Sequence, residues 1–425
     1  MEFLVARFKN PEKKYNTVHI AGSKGKGSVS AMLTQIFSAA GYTAGLYTSP
    51  HILDFTERVS SAAGIFSDEM YGKASDLLVP LVESIIPENL PGGNEPTWFE
   101  LVTLFAFLTF REAVVDWAVI ETGMGGRLDA TNVITPAASI ITPIEMEHME
   151  FLGDTLGKIA GEKAGIIKHH TPVFVSPQQE EALKVLTDAA KYHSSPFFYM
   201  QDIISSISSE TSQEGNFIFI EYKQIPEGPV FSRPLSTRLR FLNEIQAQNA
   251  AIAAYTAKFL LPDITESMIE TGLSRAWLPG RFELIPGDVP IVLDGAHTVK
   301  SISTTLTTFK KLFPGNNHLL FACAADKNVD AIAELFHSFS EITITKPGDF
   351  KETDMEKISR PFLELYGSRK VTLTINEDYQ KAIPDAILSA YQKKIPLLVI
   401  GSFYLVSEVK KILVHRTGDQ ENLYR

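Results

Sequence analysis

Two lysines among closely spaced glycines are the first residues in this sequence whose types and spacing suit a chemical task. They lie in the segment Gly22-Ser23-Lys24-Gly25-Lys26-Gly27-Ser28, which follows an apolar run and precedes a helical pattern. The backbone N–H groups of such a loop, with the N-terminus of the next helix, can hold a polyphosphate. Lys26 would supply positive charge at the β- and γ-phosphates. The segment therefore predicts nucleotide binding and leaves the reaction open.

This loop departs from the standard phosphate-loop pattern. Ile20 stands where that pattern has its first glycine, and Ser28 lies at a slightly different place from its hydroxyl residue. A glycine-rich turn with incidental lysines is the alternative interpretation. The order of apolar strand, loop and helix favours the phosphate site.

The elements that must position the loop form a βαβ pattern. Asn16–Ala21 predicts the first strand and Ser28–Ala40 the following helix. Further buried strands are predicted at Trp117–Glu121, Ala138–Thr142 and Pro172–Ser176. Their continuous apolarity is typical of strands covered on both faces, as in a parallel doubly wound sheet. Residues 203–240 alternate instead, as in Phe217–Tyr222, and predict a small antiparallel element attached to this first domain.

A second series of buried strands follows the prolines and glycine near residue 280. Its predicted strands are Ile291–Asp294, His318–Ala324, Glu341–Thr345, Val371–Ile375 and Pro396–Ile400. The sequence thus predicts an α/β fold with two domains. Residues 1–283 are expected to form an N-terminal P-loop-type parallel-sheet ATPase domain, and residues 284–425 a smaller C-terminal Rossmann-like α/β domain. Ligands of open α/β sheets collect beyond the carboxyl ends of the strands, so the motifs just after the strands matter most.

Composition disfavours several classes of function. The formal net charge of −11 disfavours nucleic-acid binding, which requires a basic face. The single cysteine, Cys323, lies in an apolar run, which favours a buried thiol and a reducing compartment. Met1–Asn10 lacks the apolar core of a signal peptide, and the apolar stretch Phe99–Phe110 is too short to span a bilayer. We expect a cytoplasmic protein without membrane or nucleic-acid partners.

Further motifs follow the phosphate loop along the chain. They are Thr48-Ser49-Pro50-His51 with Glu57-Arg58, Thr97-Trp98-Phe99-Glu100, Glu121 to Asn132, Glu147-His148, Phe151-Leu152-Gly153, Ile159 to Lys168, Gln246 with Asn249-Ala250, Pro279-Gly280-Arg281, Leu293 to His297, and Gly401 to Val406. With the shortened loop, this series resembles the folylpolyglutamate synthase/dihydrofolate synthase family of the Mur ligase superfamily. The resemblance covers nearly the whole chain, in order.

The resemblance implies an ATP- and Mg²⁺-dependent ligase that adds L-glutamate to the γ-carboxylate of a (tetrahydro)folate. In the family, ATP phosphorylates the carboxylate, and the glutamate amine then attacks the acyl phosphate. Phosphoryl transfer needs positioning and charge neutralisation, which suits a phosphate loop, a lysine and metal ligands. The implied substrates are a folate or dihydropteroate, L-glutamate and ATP, and many family members are monomers.

The resemblance also implies roles for individual residues. The implied catalytic residues are Lys26, Glu121, His148 and Lys163. The implied ligands of two Mg²⁺ ions are Ser49, Glu121, His148 and, if CO₂ carboxylates it, Lys163. The implied ATP-binding residues are Gly22, Ser23, Lys24, Gly25, Lys26, Gly27, Ser28, Asn249, Arg281, Asp294 and His297. The implied folate-binding residues are Thr97, Phe99, Glu100, Leu128, Asp129 and Ala130.

Structural alternatives stay open for several of these residues. Lys163 could be an ordinary lysine on a helix face, and His148 a structural hydrogen-bonding residue. Asp294 could be a turn-forming Asx residue, Arg281 part of a linker salt bridge, and Phe99 part of a core. Each alternative predicts contacts that differ from those of a ligand site.

Three positions depart from the family pattern. Glu147 replaces an aspartate, Ile245 a histidine and Thr298 an asparagine. None of these changes removes a metal or phosphate ligand, so we expect altered contacts and retained activity. In family members that make dihydrofolate, a longer leader helps to bind pteroate. Because the leader before Gly22 is short, dihydrofolate synthase activity is left open.

Two other functions fit parts of the sequence. A Mur-type amide ligase acting on a cell-wall nucleotide-peptide would share the loop, the fold and the mechanism. The motifs Phe99-Glu100 and Ser49-Pro50-His51 disfavour it, as does the lack of an extra N-terminal domain to bind the sugar nucleotide. A catalytically silent ATP-binding paralogue would explain the departures, but the four implied catalytic residues are all in place.

Overall fold

The computed structural model describes residues 1–325, 327–349, 353–367 and 371–417, with side chains up to residue 414. The end of the predicted second domain, residues 418–425, lies outside the described residues. Within them, the strands form three sheets, of eight, three and six strands. No helix of the described chain is both long and apolar enough to cross a membrane.

The eight-stranded sheet carries the phosphate loop. Its strands are β1 (Asn16–Ala21), β2 (Ala44–Tyr47), β3 (Val59–Ser61), β4 (Gly64–Ile65), β5 (Trp117–Glu121), β6 (Ala138–Ile141), β7 (Val173–Val175) and β8 (Phe197–Tyr199). They lie in the order β4-β3-β2-β5-β1-β6-β7-β8. The strands from β2 to β8 in this order run parallel, whereas β3 and β4 form an antiparallel hairpin at the edge. The carboxyl ends of β1, β2, β5 and β6 therefore meet at one edge, where ligands of such sheets bind.

Helices cover both faces of this sheet. They are α1 (Glu2–Arg7), α2 (Lys26–Ala39), α3 (Asp68–Glu83), α4 (Trp98–Glu112), α5 (Met149–Leu152), α6 (Leu156–Ala164), α7 (Glu180–Tyr192), α8 (Met200–Ile203), α9 (Gln246–Leu260) and α10 (Glu266–Arg275). Val18 and Ile20 of β1 pack in one core with α2, α9 and α10. Ala118 and Ile120 of β5 pack in another core with α4. The continuous apolarity of the strands thus reflects burial on both faces, as the sequence predicts.

The three-stranded sheet is the small antiparallel element predicted between residues 203 and 240. Its strands are β9 (Ile204–Ser212), β10 (Gly215–Tyr222) and β11 (Leu235–Leu239), with β10 in the middle. All its pairings are antiparallel. Ile218 and Ile220 of β10 are buried in the same core as α9, so the sheet is attached to the N-terminal half, which confirms the prediction.

The six-stranded sheet forms the C-terminal half. Its strands are β12 (Glu283–Ile285), β13 (Ile291–Asp294), β14 (His318–Phe321), β15 (Glu341–Ile344), β16 (Thr372–Ile375) and β17 (Leu397–Ile400), in the order β12-β13-β17-β14-β15-β16. Only β12 pairs antiparallel in this sheet. The accompanying helices are α11 (Val299–Leu312), α12 (Val329–Ala333), α13 (Met355–Tyr366), α14 (Tyr379–Lys393) and α15 (Phe403–Thr417).

The predicted α/β class, with a parallel-sheet N-terminal domain and a smaller α/β C-terminal domain, is confirmed by these sheets. Strands β2, β3, β4, β8 and β12 were not predicted. Four of them have only two or three residues, which are too few to show an apolar period, and β2 has four. The first long helix begins at Lys26, two residues before the predicted Ser28. Its N-cap is Gly25, whose left-handed backbone ends the loop directly before the helix.

Candidate active site

Two glycines allow the phosphate loop its shape. Gly22 has φ 147° and Gly25 has φ 90°, a region that residues with a Cβ rarely adopt. A Cβ on Gly22 would lie 1.8 Å from Thr142 Oγ1, and one on Gly25 would lie 2.7 Å from Asn249 Oδ1. Asn249 itself is buried and donates from Nδ2 to Gln246 Oε1 at 2.9 Å. The loop thus turns tightly between β1 and α2, with Asn249 against it.

The N–H groups of the loop divide into two sets. Those of Ser23 and Lys24 donate to the Pro143 carbonyl oxygen, at 2.9 and 3.3 Å. Those from Lys26 to Ser28 lie in the first turn of α2, where N–H groups have no partner within the helix. A phosphate is therefore expected at the start of α2, where the helix dipole also favours an anion.

Two lysine side chains from different elements reach the same backbone oxygen. Lys26 Nζ donates to the Gly22 carbonyl oxygen at 3.1 Å, and Lys163 Nζ donates to it at 2.8 Å. Lys163 lies in the last turn of α6, and its side chain is only 2% exposed. Burial, and then the charge of Lys26, lowers the pKa of Lys163 to about 8. The alternative of an ordinary lysine on a solvated helix face does not hold here.

Glu147 is a member of this cluster that the sequence did not identify as a site residue. Its Oε1 lies 3.2 Å from Lys163 Nζ, and its Oε2 lies 3.9 Å from Lys24 Nζ. Burial alone would raise the pKa of Glu147, but the charges of Lys163, Lys26 and Lys24 together lower it. The carboxylate is therefore ionised and joins two lysines. The sequence could have indicated this role, because Glu147 keeps the acidic side chain that the family pattern has at this position as an aspartate.

Glu121 ends β5 and directs its carboxylate at the phosphate loop. Its Oε1 lies 3.9 Å from Lys26 Nζ, and its Oε2 accepts a hydrogen bond from the Ser49 N–H at 3.2 Å. Burial raises the pKa of Glu121, although the charges of Lys26 and Arg281 oppose the shift. Bringing a further cation beside this carboxylate would favour its ionised form. The structure therefore brings together Lys26, Lys163, Glu121 and Ser49 at one end of the sheet.

His148 lies at the rim of this group. Its backbone has φ 49° at the N-terminus of α5, and its side chain is exposed. The ring makes no capping hydrogen bond to α5. Its chain neighbour Glu147 reaches the lysine cluster, whereas the His148 ring stays at the surface beside it. The His148 ring therefore lies near the cluster, and no hydrogen bond to another described residue assigns it a structural role.

Arg281 extends from the C-terminal half toward the loop. Its guanidinium carbon lies 4.1 Å from the centroid of the Phe403 ring, a cation–π contact that holds the side chain in place. Burial lowers the pKa of Arg281, and the charge of Glu121 opposes the shift. Lys300 at the start of α11 adds a second link across the cleft, because its Nζ lies 2.8 Å from Glu145 Oε1. Phe403 belongs to a motif of the sequence, but only the structure reveals this contact.

Asp294 ends β13 and is held by three hydrogen bonds. Its Oδ1 accepts from the Ala296 N–H at 2.7 Å. Its Oδ2 accepts from the Phe282 N–H and from the Thr305 hydroxyl, each at 3.1 Å. The contact with Ala296 is the Asx turn that the sequence left as an alternative. Asp294 therefore frames its loop, and a ligand would have to share an already occupied carboxylate.

His297 keeps one ring nitrogen available. Its Nδ1 lies 2.8 Å from the Gly295 carbonyl oxygen. Because a carbonyl oxygen only accepts, Nδ1 carries the proton and Nε2 is left as an acceptor. Burial, and then the charge of Lys24, lowers the pKa of His297 to about 4. The ring is therefore neutral at pH 7 and within electrostatic reach of the phosphate loop.

Thr97 and Glu100 have a structural task at the start of α4. Thr97 Oγ1 accepts from the Glu100 N–H at 3.2 Å, and Glu100 Oε2 accepts from the Thr97 N–H at 2.9 Å. This is a capping box, which satisfies N–H groups that the helix leaves without partners. Glu100 Oε1 also lies 3.3 Å from the amino group of Met1. Both predicted folate residues are thus engaged within the protein.

The remaining predicted folate residues surround the loop after β5. The Phe99 ring packs against Gly123, and Asp129 accepts from the N–H five residues before it at 2.9 Å. Leu128 is 78% exposed, and Ala130 begins a short 3₁₀ turn. Phe99 also borders an apolar core, so its contacts agree with the structural alternative as well as with a ligand wall.

Comparisons with known proteins match both halves of the chain. The Mur ligase middle domain matches residues 20–257, and the glutamate ligase domain of Mur ligases matches residues 280–403. The dihydrofolate synthase/folylpolyglutamate synthase of Bacillus subtilis (strain 168) is 33% identical over 423 residues, which are 97% of this chain and 94% of that protein.

Solved structures agree with these matches. The folylpolyglutamate synthase of Mycobacterium tuberculosis, complexed with ADP and AMPPCP, aligns with a TM-score of 0.86 at 26% identity, over 96% of this chain and 93% of that chain. An FPGS–AMPPCP–folate complex aligns with a TM-score of 0.80 at 27% identity, over 97% of this chain and 93% of that chain. The fold is therefore shared with enzymes of one family over nearly the whole chain.

Proposed function

This chain belongs to the folylpolyglutamate synthase/dihydrofolate synthase family of Mur ligases, which are ATP-dependent ligases, and on that premise we propose its reaction. It ligates L-glutamate to the γ-carboxylate of a tetrahydrofolate while ATP is cleaved to ADP and phosphate. The observation that carries the proposal is the meeting of Lys26 and Lys163 on the Gly22 carbonyl oxygen, with Glu121 beside Lys26. This is the concentration of charge that phosphoryl transfer needs.

The proposed reaction has two steps. An oxygen of the folate γ-carboxylate attacks the γ-phosphorus of ATP, ADP leaves, and an acyl phosphate forms. The amine of glutamate then attacks the acyl carbon, phosphate leaves with its bridging oxygen, and the amine gives up a proton. Lys26 stabilises negative charge on the transferring phosphoryl group, and Arg281 approaches it from the opposite domain.

Magnesium belongs to the proposal. Among the described residues no three His, Cys, Asp or Glu side chains are arranged to hold a metal ion. The donor set of Glu121, with Ser49 beside it, nevertheless fits Mg²⁺, which binds through few protein oxygens together with phosphate oxygens and water. By the family resemblance, His148 would join Ser49 and Glu121 at this ion, and a carboxylated Lys163 would help to hold a second ion. When bound, such ions neutralise charge on the phosphates.

Carboxylation of Lys163 is part of the same proposal. A protonated lysine has no lone pair to bind CO₂ or a metal ion. With a pKa of about 8, the Lys163 amine is neutral in about one molecule in ten at pH 7, whereas an ordinary lysine is neutral in fewer than about one in a thousand. Burial beside Lys26 therefore favours reaction with CO₂, and the resulting carbamate would remove the repulsion between the two ammonium groups.

The assay that tests the proposed function compares acceptors. Purified protein with ATP, Mg²⁺ and L-glutamate is given tetrahydrofolate, dihydropteroate, a cell-wall nucleotide-peptide or no acceptor, and ADP release and product mass are measured. We expect ADP release that depends on both glutamate and tetrahydrofolate, with a product one glutamyl unit heavier. A product with dihydropteroate would add dihydrofolate synthase activity. Release with a cell-wall nucleotide-peptide alone would favour another Mur-type ligase, and no release with any acceptor would favour a silent ATP-binding paralogue.

Three further features stand as parts of the proposal. A division of the chain close to residues 283/284 is supported by β12 (Glu283–Ile285), which pairs within the six-stranded sheet and so groups Glu283 with the C-terminal half. A cytoplasmic location is supported by the cysteine usage of the chain, because Cys323 is its single cysteine and is buried. A monomeric state is proposed because many members of the family are monomers, and light scattering of the purified protein tests it.

A further inference from the structure

The segment between α10 and β12 joins the two halves of the chain, and Arg281 lies in an unusual stretch of its backbone. The residues on either side, Gly280 and Phe282, have φ 65° and φ 50°. A positive φ is uncommon outside glycine, and for a bulky residue such as phenylalanine it is an outlier. Such a backbone persists only where the surrounding structure holds it in place. The direction of Arg281 therefore depends on the contacts of its two neighbours.

Phe282 is held by the C-terminal half. Its side chain is 2% exposed and lies in one apolar core with Val292 of β13 and Ile302 of α11. Its N–H donates to Asp294 Oδ2 at 3.1 Å. These contacts fix the residue after Arg281 to the six-stranded sheet.

Gly280, on the other side of Arg281, is held through Glu283. Gly280 is buried, and its N–H donates to Glu283 Oε2 at 2.9 Å. Its carbonyl oxygen accepts from the Gly295 N–H at 3.0 Å. A buried N–H group that loses its acceptor is costly, so the Glu283 carboxylate stabilises this peptide in its present orientation. Glu283 thus binds the backbone on the far side of Arg281.

One face of helix α15 supports both Arg281 and Glu283. The Arg281 guanidinium carbon lies 4.1 Å from the ring centroid of Phe403, the first residue of this helix. Lys410 Nζ lies 2.7 Å from Glu283 Oε1, in an ion pair whose lysine and glutamate side chains are only 5% and 11% exposed. Residues seven apart lie on the same face of a helix. The same face therefore carries the ring beneath the guanidinium and the ammonium group that orients the Glu283 carboxylate.

Two further side chains surround this ion pair. Lys410 Nζ lies 5.1 Å from the centroid of the Trp277 ring, and the Arg240 guanidinium carbon lies 5.6 Å from the same centroid. Burial lowers the pKa of Arg240, and the charge of Glu283 opposes the shift. Glu283 therefore attracts positive charge from both halves of the protein, at the place where they join. A carboxamide at this position would lose that attraction.

We propose that Glu283, held by Lys410, is a positioning residue that sets the approach of Arg281 to the nucleotide. The inference rests on the proposed function, in which Arg281 approaches the phosphates from the C-terminal half. Glu283 would act through Arg281, because its two carboxylate oxygens are already bound to Gly280 and Lys410. It keeps Arg281 between two fixed peptides, so that less ordering remains to be done when the nucleotide binds.

The test is a double-mutant cycle between Glu283 and Arg281 in the full chain. Glu283→Gln, Arg281→Ala and the double variant are compared with wild type in their affinity for ATP, by calorimetry with Mg²⁺ and no acceptor, and in the KM for ATP during ligation. Glu283→Gln alone should weaken both about fivefold, because Arg281 loses its fixed position. In the Arg281→Ala background the same change should have less than about a 1.5-fold effect, because the two residues act as a unit.

Three further variants separate positioning from stability. Lys410→Met should weaken ATP binding nearly as much as Glu283→Gln, whereas Lys410→Arg, which keeps the charge, should retain most of the affinity. Glu341→Gln is the matched control, since Glu341 forms an ion pair with Lys393 in the same half but begins β15, at the sheet edge away from the cleft. It should lower the unfolding temperature and leave the affinity for ATP as in wild type.

The size of the Glu283→Gln effect in the two backgrounds distinguishes positioning from general stability. An effect on ATP affinity that is equally large with and without Arg281 would overturn the inference, as would unchanged affinity in a folded Glu283→Gln protein. If Glu283→Gln does not fold, Lys410→Met takes its place in the cycle, because Glu283 then still accepts from Gly280. Wild-type protein that binds ATP but ligates no glutamate would overturn the proposed function, and the calorimetric cycle would still decide this inference. Wild-type protein that binds no ATP would overturn both.

Discussion

On the N-terminal face of the cleft, side-chain charges meet one another directly, whereas on the C-terminal face the polar groups are tied to their own loops. The Gly22 carbonyl oxygen accepts hydrogen bonds from both Lys26 and Lys163, and the Glu147 carboxylate forms an ion pair with Lys163. Asp294 instead accepts hydrogen bonds from the backbone N–H groups of Phe282 and Ala296. His297 is hydrogen-bonded to the carbonyl oxygen of Gly295. Arg281 and Lys300 are the charged side chains described above that reach across from this face.

This difference indicates that the two faces of the cleft would act on a bound nucleotide in different ways. Buried like charges are costly unless a ligand or a modification relieves them, so the N-terminal face is the place where an anion gains most. The C-terminal face has little unmet charge, so it is suited to shape and to orient a nucleotide. Substitutions on the two faces should therefore fail differently, in turnover on one side and in nucleotide affinity on the other.

The largest effect is expected from Lys26→Ala. Removing the charge at the transferring phosphoryl group should lower turnover about 10³-fold, because such stabilisation acts mainly in the transition state. The unfolding temperature should stay near that of wild type, since a lysine at the N-terminus of α2 adds little to the core. Rates of ADP release at saturating substrates, with circular dichroism melts, check both points. Turnover within a few-fold of wild type would remove Lys26 from the chemistry.

Lys163→Ala should be nearly as damaging, by about 10²-fold or more in turnover, because an oxygen ligand or charge beside the phosphates is lost. Lys163→Glu should recover a little activity, and a short-chain carboxylic acid added to Lys163→Ala should restore part of it. Lys158→Ala is the matched control, since Lys158 lies on the same helix, exposed and paired with Asp154. Full activity of Lys163→Ala would end the proposed role.

Arg281→Ala tests whether the C-terminal face contributes mainly to nucleotide affinity. Loss of this planar cation should raise the KM for ATP about tenfold and that for glutamate less, because in the proposed function the side chain would approach the nucleotide from the C-terminal half. Initial rates with each substrate varied in turn provide the measurement. A larger rise for glutamate than for ATP would contradict the division of work.

The smallest effect concerns stability at mildly acid pH, away from the cleft. Burial lowers the pKa of His318 to about 4, and its Nε2 lies 2.9 Å from Thr343 Oγ1. The unfolded chain binds a proton near pH 6.5 and the folded chain does not, so stability falls as pH drops from about 6.5 toward 4. Between pH 7 and pH 5 this histidine should cost about 2 kcal/mol of unfolding free energy.

Urea unfolding at the two pH values measures that loss. His318→Gln should flatten the change, and His337→Gln, which alters an exposed histidine of the same half, should leave it as in wild type. An equal pH dependence in wild type and His318→Gln would show that other groups are responsible.

The sequence predicted the parts of this molecule that rest on local patterns. The loop at Gly22 to Ser28 and the strand ending at Glu121 needed only a strand, a turn and a helix in order. Strands β2, β3, β4, β8 and β12 were missed, because two to four residues are too few to show an apolar period. Asp294 illustrates a second limit of prediction from sequence, because an aspartate can form an Asx turn or bind a ribose hydroxyl. Only the structure shows that the turn forms here.

Contacts between distant segments could not be predicted at all. Glu147 joins Lys163 and Lys24, which lie on different elements. Glu283 and Lys410 form an ion pair although they lie 127 positions apart. Such pairings depend on the packing of whole elements, which no spacing along the chain encodes. The sequence could supply candidates for the chemistry, and the fold decides which of them meet.

We propose above all that this chain activates a folate carboxylate by phosphorylating it. Tetrahydrofolate labelled with ¹⁸O in its γ-carboxylate, incubated with the protein, ATP and L-glutamate, tests that claim most directly by mass spectrometry of the released phosphate. An acyl phosphate carries one carboxylate oxygen into phosphate, so one ¹⁸O per phosphate is predicted for each amide formed. Amide formation with no ¹⁸O in the phosphate would contradict the account.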